Sequence, residues 1–83
     1  MLKEMKNIPP AFPPHKVTIK AITLRSPAHA LAYLDRELDD GYLVVNKQRD
    51  KSIALIVNCG DATYERLKIC FIKDMGCDFL WKD

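Results

Sequence analysis

The sequence is poor in the residues from which active sites are built, with three glycines, three cysteines and two histidines among 83 residues. The glycines stand singly at positions 41, 60 and 76, so no glycine-rich loop can cradle a phosphate. Cys59, Cys70 and Cys77 contain no C-x-x-C pair of the kind that zinc sites use. For neither His15 nor His29 does the sequence fix a close Cys, Ser or carboxylate partner. We therefore expect no enzyme, no metal and no cofactor.

Long apolar runs are also missing. The longest are a few residues, too short for a transmembrane helix. The first residues carry lysines, but Asn7, Pro9 and Pro10 interrupt them before the apolar stretch of a signal peptide can accumulate. An odd number of cysteines cannot pair completely, which favours reduced thiols. We expect a cytoplasmic protein without membrane contact.

Length and charge restrict the kinds of function further. A chain of 83 residues lies near the lower limit at which a hydrophobic core folds unaided, so it has no room for a second domain or a buried cleft. Its function should lie on a surface. Lys and Arg number 13 against 11 Asp and Glu, a formal net charge of +2. This balance permits a nucleic-acid partner without demanding one.

Residues 1–15 differ in kind from the rest because they hold four of the five prolines. Proline fixes φ and lacks an N–H group, so we expect an extended or disordered arm. Its PPAFPP segment, with Phe12 at the centre, could serve as a polyproline-type ligand, or the arm could pack loosely across the domain. Residues 16–83 are predicted to form a single α+β domain.

The first strand is predicted over Lys16–Leu24, where apolar and polar residues alternate at first. Ile22 and Leu24 are apolar one step out of phase. Either a bulge lies near Ala21, or the end of the strand is covered on both faces.

A helix is predicted next, over Pro27–Asp39. Ser26 is a plausible N-cap, Pro27 suits the first helical position, and Gly41 is placed to end the element. The predicted core stripe is Ala28, Leu31, Leu34 and Leu38.

The second half of the chain begins with two segments rich in β-branched residues, Gly41–Gln48 and Ser52–Asn58, which predict a hairpin. Asp61 can cap a second helix that ends at Gly76. A short last strand is predicted over residues 77–82, with Cys77, Phe79 and Trp81 on its inward face. The stripe of the second helix is Tyr64, Leu67, Phe71 and Met75.

The predicted order of elements is therefore β-α-β-β-α-β. Right-handed crossovers favour a split βαβ arrangement, with a four-stranded antiparallel sheet of order 4-1-3-2 and both helices on one face. This order of elements resembles that of the ferredoxin-like superfold. A superfold of this kind hosts many unrelated functions, so the resemblance implies a fold and no activity.

One thiol could be reactive. Cys59 lies just before the predicted N-terminus of the second helix, where the helix dipole and free N–H groups can lower a thiol pKa. The alternative is a buried cysteine that packs as a small hydrophobe, which is common for this residue type. A nucleophile also needs a base and an oxyanion site, and we can name neither.

A protein-binding surface has more support. The outward face of the predicted sheet carries apolar residues where a solvated face would be more polar, and Ile69 lies on the far side of the second helix. Such a face is usually covered by a second copy, a partner protein or the chain's own arm, although scattered apolar exposure is also common. The predicted protein-binding residues are Tyr42, Val44, Ile56, Leu80 and Ile69.

The alternative function is non-specific binding of single-stranded nucleic acid through a basic hairpin tip, with Lys20, Lys47, Arg49 and Lys51 as phosphate contacts. RNA-recognition domains stack bases on exposed aromatics of the central strands, and the predicted sheet lacks these. A merely solvated hairpin tip is the simpler interpretation of these charges.

Acidic residues gather near the end of the first helix, where they oppose the helix dipole. They could contact a basic partner or simply lie at a frayed helix end; they are Asp35, Glu37, Asp39 and Asp40. Our overall expectation is a small regulator, adaptor or inhibitor of the kind that bacteria or phages encode, which binds a larger protein or forms a homodimer.

Overall fold

Four strands and two helices follow one another along the chain in the predicted order. The computed structural model describes residues 14–49 and 51–83, with the backbone alone at 47–49. The elements are β1 (Pro14–Ala21), α1 (Pro27–Glu37), β2 (Tyr42–Arg49), β3 (Ser52–Asn58), α2 (Asp61–Met75) and β4 (Phe79–Lys82).

The strands form one open sheet in the order β2-β3-β1-β4. Every neighbouring pair is antiparallel, so β3 and β1 lie in the centre and β2 and β4 at the edges. The predicted α+β class, with a four-stranded antiparallel sheet and two helices, is confirmed.

The core lies between one face of the sheet and the helices. Side chains of β1 and β3 alternate between buried and more exposed, as the period of a strand requires. Buried residues of both helices join the inward side chains in one cluster, with Phe71 in contact with the rings of Tyr33, Phe79 and Trp81. The inward side chains of the central strands are Val17, Ile19, Ala21, Ile53, Leu55 and Val57. No helix of the described part of the chain covers the opposite face of the sheet.

Helix α1 begins as predicted and ends early. The Ser26 hydroxyl accepts a hydrogen bond from the Ala28 N–H at 3.1 Å, which confirms the N-cap. The helix ends at Glu37, two residues before the predicted Asp39. The predicted stripe is wrong at its start, because Ala28 is exposed. The buried residues of α1 are Ala30, Tyr33 and Leu34.

The rotation of α1 follows from one long-range contact. The Tyr33 ring packs edge-on against Phe71, and its hydroxyl donates a hydrogen bond of 2.6 Å to Asp74 Oδ2 on α2. Burial of a tyrosine requires such a partner for the hydroxyl. The contact between the two helices therefore selects the face of α1 that is buried.

Strand β1 ends at Ala21, three residues before the predicted end. Ile22 is 54% exposed and Leu24 98% exposed, so the predicted bulge or double cover at this end is wrong. The segment that follows β1 instead leaves the sheet, because Asp78 accepts hydrogen bonds from it. The carbonyl of Asp78 accepts from the Ile22 N–H, and its carboxylate accepts from Thr23 and Arg25.

A bulge does occur, but in β2. The pairing of β2 with β3 shifts register between Val45 and Lys47, so an extra residue, Asn46, lies in the edge strand. Gly41 does not end α1; it precedes β2 with a φ of 109°. A side chain at Gly41 would strike the backbone of Asn58, so both the dihedral angle and the close approach require glycine.

In the second half of the fold, the starts of α2 and β4 differ from the prediction. Gly60 is the N-cap of α2 and Asp61 its first residue, so Asp61 does not cap the helix, although its charge suits the helix N-terminus. Strand β4 begins at Phe79 instead of position 77. Cys77 lies in the preceding turn and is exposed, so its predicted inward orientation is wrong.

Two expectations concern the N-terminal arm. Its residues 1–13, including Phe12, lie outside the described residues, so its predicted conformation and its cover of the sheet stay predictions. Pro14 and His15 belong to β1, which begins two residues before the predicted domain boundary. Neither helix of the described part is long and apolar enough to cross a lipid bilayer.

Candidate functional site

The outward positions of the sheet form the surface that we call the open sheet face. Residues directly opposite one another in an antiparallel pair share a face, so the strand register orders this surface into rows. Across β2, β3, β1 and β4 the rows are Tyr42–Asn58–Pro14, Val44–Ile56–Lys16, Lys47–Ala54–Thr18–Lys82 and Arg49–Ser52–Lys20–Leu80.

Three predicted protein-binding residues come together at one edge of this face. Val44 lies directly opposite Ile56, and Tyr42 precedes Val44 by two positions on the same strand. Tyr42 is 45% exposed, Val44 is 39% exposed and Ile56 is half-buried. We call Tyr42, Val44 and Ile56 the apolar patch. Alternation along the strands is sufficient to predict it.

The other two predicted residues lie elsewhere. Leu80 is exposed on β4, opposite Lys20, at the far edge of the open sheet face. Ile69 is 63% exposed on α2, in the helical layer, with Ile72 exposed one turn later. These two isoleucines belong to a surface separate from the apolar patch.

Several lysines lie on the rest of the open sheet face. Lys16, Lys20 and Lys82 are exposed, and Lys82 was missing from the predicted site. Its signal was present in the alternation of β4, which places Lys82 on the same face as Leu80. The register pairs Lys47 with Ala54 and Arg49 with Ser52, so these two basic residues occupy outward positions of β2.

A shallow depression of about 430 Å³ lies on this surface and opens to solvent. Thr18 and Ala54, which are small and lie opposite each other, line it together with Lys16 and Lys82. Asp83 also lines it, but the Asp83 carboxylate accepts hydrogen bonds from Tyr64 and Lys68 on α2. The other residues around it are Val17, Asn46 and Leu55.

The residues predicted for nucleic-acid binding come from the hairpin and β1. Lys20 lies opposite Ser52, which in turn lies opposite Arg49. Lys51 is exposed in the turn, and its carbonyl accepts from the Ala21 N–H. Lys20 and Arg49 therefore share one row at the hairpin end of the sheet, with Lys51 in the turn beside it and Lys47 in the next row.

Comparison with known proteins found no matching family model, no matching curated protein and no matching solved structure. The candidate site must therefore be interpreted from its own chemistry.

Cys59 is buried and occupies the core, as the packing alternative predicts. Burial raises the pKa of its thiol, and the nearby carboxylates of Asp40 and Asp61 raise this pKa further. A raised pKa leaves less thiolate at neutral pH, so the helix N-terminus does not activate Cys59. No group of three metal-ligating side chains lies together within residues 14–49 and 51–83.

His15 lies in β1 instead of an extended arm. Its ring stacks on Tyr64 with 4.0 Å between the ring centroids, and its Nε2 lies 3.4 Å from Asp61 Oδ1 without a well-formed hydrogen bond. The pKa of Tyr64 is raised to about 12 by burial and by the negative charge of Asp83. The phenol therefore stays neutral at physiological pH and can donate its proton to the Asp83 carboxylate.

The acidic end of α1 is tied to α2. Arg66 donates to the Glu37 carbonyl at 3.2 Å and lies 3.6 Å from Asp39 Oδ2. This contact places a cation beside the acidic residues and holds the backbone at the end of α1. The end of α1 is therefore bound to α2 and is not frayed.

Proposed function

We propose that this chain is a cytoplasmic, non-enzymatic domain of ferredoxin-like type that binds protein through its open sheet face. The order of elements and the strand order β2-β3-β1-β4, which is 4-1-3-2 from the other edge, support the proposed fold type. Three free cysteines suit a reducing compartment. A regulator, adaptor or inhibitor would act through such a surface.

The apolar patch is the observation that carries this proposal. Tyr42, Val44 and Ile56 are contiguous, belong to the regular sheet and are left uncovered by the described residues. Removal of apolar surface from water is worth about 25 cal/mol per Å². A partner that covers the patch would gain this free energy on a surface whose backbone is already ordered by pairing.

The surroundings of the patch resemble the anatomy of a protein interface. Such interfaces have an apolar core, often with a tyrosine, and a polar rim open to water. Here exposed Lys16 borders Ile56 in the same row. The buried, poorly ionised thiol of Cys59 also favours binding over covalent catalysis.

Site-specific photo-crosslinking tests the proposal. Val44 would be replaced by the photo-reactive amino acid p-benzoylphenylalanine in the full chain, and the cross-linked products from cells that produce it would be identified by mass spectrometry. Exposed Lys73 on α2 provides the matched control position. We expect one defined polypeptide cross-linked from Val44 and absent from the Lys73 control, and loss of this product when Ile56→Asp is added.

The outcomes separate the possible partners. A cross-linked dimer of the chain would identify a homodimer, and a position within residues 1–13 would identify the arm as the cover. Equal product from Val44 and Lys73, or none from Val44, would refute binding through the open sheet face. The same experiment at Ile69 tests the helical surface independently.

A second candidate function is binding of single-stranded nucleic acid through Lys20, Lys47, Arg49 and Lys51. The row that links Lys20, Ser52 and Arg49 beside the turn favours it. We expect affinity for a fifteen-nucleotide oligo-dT to fall steeply with salt and with Lys20→Glu, measured by fluorescence anisotropy. Absence of binding at low salt would remove this candidate.

A further inference from the structure

The fold places basic and acidic residues on different surfaces, a separation that the near-neutral composition does not reveal. The formal net charge of the chain is only +2. Yet Lys16, Lys20 and Lys82 are exposed on the open sheet face, and Lys47 and Arg49 occupy outward positions in its register. None of the outward strand positions that the structure describes holds an acidic residue.

The acidic side chains are used elsewhere. Ion pairs join Arg25 to Asp78, which lie in the connections beside the helices, and Lys68 of α2 to Asp83, which follows β4. By contrast, Lys16, Lys20 and Lys82 form no ion pair within the described part of the chain. The remaining acidic residues of α1, α2 and their flanks are Asp35, Glu37, Asp39, Asp40, Asp61, Glu65 and Asp74. Among the described residues, the outward strand positions of the open sheet face therefore carry basic residues and no acidic ones.

The open sheet face has a depression lined by lysines next to a row that contains apolar residues. The depression of about 430 Å³ is lined by the small residues Thr18 and Ala54 and by Lys16 and Lys82, and the carboxylate of Asp83, which also lines it, is paired with Lys68. In the adjacent row, Val44, Ile56 and Lys16 follow one another directly. A ligand that matches both rows must present apolar and anionic groups close together.

Two kinds of polyanion could meet the charge requirement. Single-stranded nucleic acid gains much of its affinity from bases stacked on aromatic rings. Tyr42 is the one aromatic side chain at the outward strand positions that the structure describes, and it lies on an edge strand. An acidic polypeptide with apolar side chains needs no stacking platform, and the observations favour it.

Charge also argues against two other occupants. A second copy on the same face would bring one set of basic residues against another, and like charges in a dimer interface are destabilising. The chain's own residues 1–13 hold Lys3 and Lys6 against Glu4, so this segment is itself cationic.

We propose that the open sheet face binds an acidic polypeptide segment, with its carboxylates over Lys16 and Lys82 and its apolar side chains against the apolar patch. This inference rests on the proposed protein-binding function and names the chemistry of the partner.

The test titrates the full chain with a random copolymer of glutamate and tyrosine, with isothermal titration calorimetry as the readout. Poly-glutamate, a lysine–tyrosine copolymer and a fifteen-nucleotide oligo-dT are the comparison ligands. We expect the glutamate–tyrosine copolymer to bind more tightly than each comparison ligand at 50 mM salt. Its affinity should fall about tenfold by 300 mM salt, because the Debye length shortens.

Matched charge reversals locate the site. Lys16→Glu should weaken binding of the copolymer about fivefold, whereas Lys73→Glu, on the exposed side of α2, should change it less than twofold. Lys82→Glu on the edge strand provides a second variant, and circular dichroism confirms that each variant is folded. Equal effects of Lys16→Glu and Lys73→Glu would overturn the proposal.

The remaining outcomes are also decisive. Tighter binding of oligo-dT than of the copolymer would assign the face to nucleic acid, and no copolymer binding at 50 mM salt would refute an acidic partner. If the copolymer fails while cross-linking from Val44 still captures a polypeptide, the proposed function stands and only the acidic chemistry is wrong. If both fail, the open sheet face is not a protein-binding surface.

Discussion

The substitution Gly41→Ala tests how tightly β2 is placed against β3. Gly41 has a φ of 109°, in the region that residues with a Cβ avoid, and a Cβ at this position would strike the carbonyl of Asn58. The left-handed conformation costs about 1–2 kcal/mol for alanine. The displacement of a packed strand adds about 1–3 kcal/mol. We expect a loss of about 3 kcal/mol in the free energy of unfolding.

Urea denaturation followed by circular dichroism measures this loss. A small domain with a slope of about 1 kcal/mol per molar urea should show a midpoint about 3 M lower. Total stability for a chain of this length is about 4–12 kcal/mol, so the variant should remain measurable or be partly unfolded in buffer. The control is Gly60→Ala, because the φ of −66° at Gly60 is open to alanine. A Gly41→Ala midpoint equal to that of Gly60→Ala would refute the reasoning.

Three further predictions concern the core, a thiol and a carboxylate. Phe71→Ala should cost about 3–5 kcal/mol, because its ring is fully buried; a loss below about 1 kcal/mol in urea denaturation would contradict its central position. In iodoacetamide labelling near neutral pH followed by mass spectrometry, exposed Cys77 should react before Cys59, whose thiol pKa is raised by burial, and faster reaction of Cys59 would revive the nucleophile. A hydrogen bond from Lys68 holds the pKa of Asp83 below its ordinary value, so the stability that this carboxylate contributes is present above its unfolded pKa and lost as pH falls through its folded pKa. The midpoints of the wild type and Asp83→Asn should therefore converge in acid, and a constant difference down to pH 2 would be inconsistent with this linkage.

The parts of the fold that follow local rules could be predicted from sequence. Ser52–Asn58 is rich in β-branched residues and forms β3 with the predicted bounds. Ser26 satisfies a local N–H group and caps α1. The end of β1 could not be predicted in this way, because Ile22 and Thr23 are held by Asp78, which is distant in sequence.

The same distinction between local rules and contacts distant in sequence applies to the candidate site. Val44 and Ile56 could be placed on one face because each strand alternates and the two strands form a hairpin. The neighbourhood of Lys82 depends on how β4 pairs with β1, where Lys82 lies opposite Thr18, and this register joins opposite ends of the chain. Net charge contains no information about such pairings, so the position of Lys82 beside the lysines of β1 emerges only from the folded structure.

The bulge in β2 has a consequence for the behaviour of the protein at high concentration. An edge strand with a regular row of free N–H and C=O groups is a template on which further chains can add and grow into fibrils. The register shift between Val45 and Lys47 divides β2 into runs of four and three paired residues. Neither run offers an incoming strand a long, flat ladder, so the edge beside the apolar patch can stay open for a partner without seeding filaments.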